Sequence, residues 1–120
     1  MGLDTTHGCW SGGYISFNSW REKICAVSGL GCLEDYHGFG GSKPWPDDDA
    51  LSILLYHSDC DGEIEWKDCA AIANRLDDIM PAMKVAGEGG GHIGNYATKT
   101  QQFIDGLRLA ASKEENVGFH

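Results

Sequence analysis

Two stretches of this chain gather residues able to do chemistry. In LDTTHGCWSGGY, Asp4, His7, Cys9, Trp10 and Tyr14 stand around glycines that lead into an apolar helical pattern. Main-chain N–H groups at a helix start attract phosphate or carboxylate, and glycine allows close approach of the backbone. Trp10 and Tyr14 are flat enough to stack on a base or a nicotinamide-like ring, and Arg21, one turn past Phe17, is placed to reach a phosphate. The second stretch is HSDCDGEI, where His57 and Asp59 fall at the same end of a helical segment and can face one pocket. The candidate ligand-binding set is therefore His7, Trp10, Tyr14, Arg21, His57 and Asp59. For each residue singly, the competing reading is packing or solvation: Trp10 and Tyr14 in the core, Arg21 on a solvated helix face. His7, His57 and Asp59 also suit a base and its orienter, or a transition metal, and Cys9 or Cys60 a nucleophile. No spacing brings these together, so no catalytic residue is assigned.

HSDCDGEIEWKD can be laid on a twelve-residue calcium loop. Asp59 and Asp61 then take the third and fifth places, Gly62 the sixth and Ile64 the eighth, with Glu65 and Asp68 completing the candidate metal set. The segment at 50–80 resembles an EF-hand over about 30 residues. His57 at the first place is a nitrogen donor ill matched to a hard cation, and Asp68 at the twelfth is short for bidentate coordination. The favoured reading is a turn in which Gly62 takes a positive φ while Asp59 and Asp61 accept backbone N–H bonds, with calcium as the alternative cofactor.

These residues need elements to position them. Phe17, Trp20, Ile24 and Val27 recur at helical spacing, and Gly29 offers a stop. A loop of about 17 residues follows, rich in glycine and aromatics (Tyr36, Phe39, Trp45) and longer than a connector needs. A second helix is expected in PWPDDDALSILLYH, capped by Asp47 with Leu51, Leu54 and Leu55 inward. A third is expected in EWKDCAAIANRLDDIMPAM, with Cys69, Ile72, Ala73, Leu76, Ile79 and Met80 on one stripe and Pro81 ending it. A fourth runs through YATKTQQFIDGLRLAASKEE, leaving residues 116–120 as a frayed tail or a short strand pairing with 62–65. The expected fold is mainly α: about four helices on one core in a single domain over 1–120, with glycine-rich loops and little or no sheet.

Composition narrows the partners. A formal charge of −9, from 9 Lys plus Arg against 18 Asp plus Glu, opposes attraction to duplex nucleic acid. A small anionic ligand is still allowed, because a pocket supplies its own N–H groups and arginine. No apolar run of membrane-spanning length and no signal-peptide pattern occurs, so a cytoplasmic protein with no membrane partner is expected. Five cysteines without a CxxC pair suggest reduced thiols, with Cys25 and Cys69 as small core residues. His37, His92 and His120 fall in glycine-rich or terminal segments and are expected to be exposed. Two chains sharing a pocket, as a homo-oligomer, would suit a small ligand sponge.

GLDTTHGCWSGGYISFNSWREKIC, LSILLYHSDCDGEI and FIDGLRLAA together resemble a family of small uncharacterised proteins of bacteria and tailed phages, over most of the chain. The resemblance carries no catalytic residues. It implies a compact phage-type accessory protein for which counter-defence is a fitting role, since some phage proteins of this size sequester the nucleotide signals of bacterial immune enzymes. The function expected by that analogy is non-catalytic binding of a small nucleotide-type ligand. The alternatives are a metal-binding protein with a degenerate EF-hand-like loop, and a protein–protein inhibitor of a host enzyme presenting its acidic surface and the 33–46 loop.

Overall fold

A computed structural model describes residues 2–58, 60–86 and 95–120. Helix α1, Tyr14–Val27, forms where Phe17, Trp20 and Ile24 make an apolar stripe, and all three are fully buried. Ser28 closes it by donating its N–H to the Ile24 carbonyl, and Gly29 follows at φ 88, a conformation that favours glycine. Helices α3 (Trp66–Asp78) and α5 (Tyr96–Lys113) form the main packed pair, burying Cys69, Ile72, Ala73 and Leu76 against Phe103, Ile104, Leu107 and Ala110. Asn95 caps α5 by accepting the Thr98 N–H at 3.1 Å.

Aromatic rings fill the centre. Trp20 lies 4.8 Å from Phe103 and 5.2 Å from Trp10, which meets Phe17 edge-on at 5.1 Å. The buried Trp20 Nε1–H is satisfied by Thr100 Oγ1 at 3.0 Å, and that hydroxyl donates in turn to the Tyr96 carbonyl at 2.7 Å.

The chain is mainly helical, but the expected arrangement of about four helices with little or no sheet is corrected in three respects. The expected third helix is two. Ile79, at φ −95 and ψ 0, leaves the helical track, and α4 (Met80–Ala86) begins there, so Pro81 opens a helix rather than closing one. Proline fits a first turn, where its missing N–H has no intrahelical partner to lose.

The second correction concerns the N-terminal ribbon, while the pairing of 62–65 with the C-terminal segment takes the strand alternative left open for 116–120. β1 (Gly2–Asp4) pairs antiparallel with β2 (Ser11–Gly13), and β3 (Glu63–Ile64) with β4 (Val117–Gly118). Asp4 and His120 exchange two backbone bonds of 2.9 Å, tying the two ribbons together.

The third concerns 50–80, which is no EF-hand. Helix α2 is only Leu51–Leu55, and Asp49 rather than Asp47 accepts at its start, from the Leu51 N–H at 3.0 Å. β3 then pairs with the C-terminal segment, where an EF-hand would pair its loop with a second calcium loop. Gly62 does take positive φ, at 83°. No helix among the described residues is long and apolar enough to cross a membrane.

Candidate functional site

Arg21 is buried on α1 with 3% exposure, and its place is set from two sides. Its Nη1 donates to the Leu55 carbonyl at 3.3 Å and the His57 carbonyl at 2.8 Å, satisfying acceptors that the short α2 leaves open. The guanidinium carbon stands 4.6 Å from the Phe17 ring centroid and 5.2 Å from that of Phe39, so it bridges the core to the surface. There it helps to line an open cleft of about 510 Å³ with Asn18, Phe39, Tyr56, His57 and Ser58.

The cleft walls are held by the long aromatic loop. Tyr56 is 47% exposed and stacks on His37 at 5.6 Å, while the Trp45 ring meets it edge-on at 6.2 Å. Gly38 sits at φ 94, a conformation that favours glycine, and a Cβ there would lie 3.3 Å from the Tyr56 ring. The His57 ring packs 4.2 Å from Phe119. Its Nδ1 lies 2.8 Å from the Ser58 carbonyl, which only accepts, so Nδ1 carries a proton, and in the neutral tautomer Nε2 is an acceptor.

Of the six ligand-binding candidates, Arg21 and His57 come together. Asp59 lies outside the described residues. Trp10, 1% exposed, is a core ring with no face left for a ligand, and Tyr14 is half-buried against the same core. His7 stands apart, walling a different cleft with Gln101 and Asp105. The distances between parts of the set follow from packing: the tryptophan needed to fill the centre of the aromatic cluster cannot also be a platform at the surface.

The sequence reading missed Asn18, Phe39, Tyr56 and Ser58. Asn18 lies three residues before Arg21 on the same helix face, a spacing that marks neighbours. Tyr56 and Ser58 flank His57, and Phe39 belongs to the loop already noted as over-long.

Of the metal candidates, Asp59 lies outside the described residues, Asp61 is exposed, and the Glu65 carbonyl accepts the Asp68 N–H at 2.9 Å where α3 begins. Among the described residues, no group of three or more His, Cys, Asp or Glu is placed to hold a metal ion. Of the proposed nucleophiles, Cys9 is fully buried and desolvation pushes its thiol up to about 12, which removes the thiolate that attack requires. Cys60 is exposed and its N–H and sulfur both lie within hydrogen-bonding reach of the Ser58 hydroxyl. Cys25 and Cys69 are buried, as expected of small core residues, with thiols raised to about 11 by the same desolvation.

No protein-family model, curated protein or solved structure matches the chain.

Proposed function

We propose that the protein is a non-catalytic binder of a small, anionic, nucleotide-type ligand, held in the cleft of Asn18, Arg21, Phe39, Tyr56, His57 and Ser58. The observation that carries this reading is convergence. A guanidinium, an imidazole, an amide, a hydroxyl and two aromatic rings line one open cleft of about 510 Å³. A few fixed polar groups within aromatic walls suit a ligand with both a flat ring and a charged end. Together with the resemblance to phage proteins, this supports sequestration of a nucleotide-type immune signal as the role.

Titration calorimetry against ADP-ribose and a panel of cyclic dinucleotides tests it. Binding by at least one is expected, with a matching rise in melting temperature. Tyr56→Ala removes a wall without touching the core and should weaken that binding by about tenfold, the loss of one ring stack. Ligand recovered unchanged after denaturing the complex fits sequestration. Absence of heat and of any thermal shift across the panel would sink the proposal.

A further inference from the structure

The hydrogen bonds around Thr6 leave little freedom in where protons sit. The Gly118 N–H donates to Thr6 Oγ1 at 2.9 Å, so the hydroxyl proton must point elsewhere, and His7 Nδ1 lies 2.8 Å away. Across the ring, His7 Nε2 is 2.9 Å from Glu115 Oε1. An ionised carboxylate only accepts, so Nε2 carries a proton, and in the neutral tautomer this turns the Nδ1 lone pair toward the threonine hydroxyl. A hydroxyl, an imidazole that accepts from it and a carboxylate holding the far nitrogen are the parts of a base-activated nucleophile.

The frame holding them is over-determined. His7 sits at φ 61 and ψ 10, the left-handed region in which a non-glycine residue is strained. Gly106 of α5 presses on the same loop: a Cβ there would lie 2.9 Å from the His7 carbonyl oxygen and 3.0 Å from Cys9 Cα. Gln102 Nε2 ties the loop from the same helix, donating to the Gly8 carbonyl at 3.0 Å. Strain fixed in place beside a reactive group is a mark of preorganisation. His7 and Gly8 also wall a cleft of about 530 Å³. Gln101 there is engaged by Asp105 at 2.9 Å, while Leu109 is 44% exposed and offers an apolar surface.

We propose that Thr6 is an acyl-accepting nucleophile, with His7 as its general base and Glu115 as a positioning residue. The substrates would be small activated esters or thioesters. Thr6 Oγ1 bonds to the acyl carbon as that carbon's bond to the leaving oxygen or sulfur breaks. The hydroxyl proton passes to His7 Nδ1 and from there to the leaving group, the transient imidazolium being held by Glu115. This centre is separate from the Arg21 cleft and does not rest on the binding role.

The test is acetylation of the full chain by p-nitrophenyl acetate at neutral pH, followed by intact mass and peptide mapping. The expected result is one acetyl group on Thr6, retained in Thr6→Ser and absent in Thr6→Val. His7→Asn, a residue that tolerates the left-handed backbone, should slow acetylation by about a hundredfold or more. Glu115→Ala, at an exposed position, keeps the fold. It should slow acetylation while the imidazole 15N shifts change from an Nε2-protonated ring to a mixture of tautomers. Melting curves establish that each variant is folded. Acetyl groups found only on cysteine, lysine or the N-terminus, or a Thr6 rate unchanged in His7→Asn or in Glu115→Ala, would overturn the assignment.

Discussion

Gly106 and Cys9 show how single positions set the N-terminal loop. The space a side chain at 106 would take is already filled by Cys9 Sγ at 2.5 Å and the His7 carbonyl at 2.9 Å. Gly106→Ala gains a little helix propensity but overpacks this contact, and the balance should be a loss of about 2 kcal/mol, read as a lower urea midpoint. Cys9 makes stability depend on alkaline pH. Below about 9 its thiol is protonated in folded and unfolded chains alike; above that the unfolded chain releases a proton that the folded chain retains up to about 12. Stability therefore falls as pH rises through this window. Cys9→Ala should make the fall shallower, which urea titrations at a series of alkaline pH values would measure. An equal slope in the variant would mean that the thiol stays protonated in both states.

At the scale of elements, α2 depends on a residue outside it. Five residues cannot sustain a helix alone, and Arg21 donates to the carbonyl of Leu55, the last residue of α2, and to that of His57 just beyond it. Lysine at 21 keeps the charge but loses the planar fork and its packing between Phe17 and Phe39. Arg21→Lys should therefore cost about 1–3 kcal/mol, with faster amide exchange concentrated in residues 51–57 as the distinguishing readout. Elements were legible where periodicity ran long. The stripes of α1, α3 and α5 give their inward faces directly. The boundaries of α2 and α4 were not, because Asp47, Asp48 and Asp49 are equally good caps by type, and Pro81 reads as a stop or a start according to where the preceding residue bends. That bend at Ile79 is decided by packing between elements, which no local pattern encodes.

The whole molecule is closed by its C-terminal segment. Val117 is fully buried and Phe119 is 4% exposed, with its ring 6.1 Å from Phe17 and 4.2 Å from His57. In the backbone, Phe119 donates to Gly62 and His120 exchanges bonds with Asp4, each at 2.9 Å, so one strand joins both ribbons to the core. The alternative of a frayed tail or a strand was open in the sequence, since the five residues 116–120, of mixed polarity, carry no period; only the partner at Glu63–Ile64 decides it. The candidate cleft depends on the same long-range closure, which is why Arg21 and His57 were found from their chemistry but Tyr56 and Phe39 were not. Removing residues 117–120 should therefore do more than shorten the chain. Two buried apolar side chains are worth about 1.5–3 kcal/mol each, against a total of about 5–15 kcal/mol for a domain. The truncated protein should lose most of its stability, with Trp10 and Trp20 becoming mobile as the ring packing opens. Near-ultraviolet circular dichroism and the urea midpoint would both report it. Phe119→Leu, which keeps the backbone bonds and most of the apolar volume, should cost no more than about 1.5 kcal/mol. A truncated chain that melts with the same midpoint as the intact one would mean that the ribbons are held without their fourth strand.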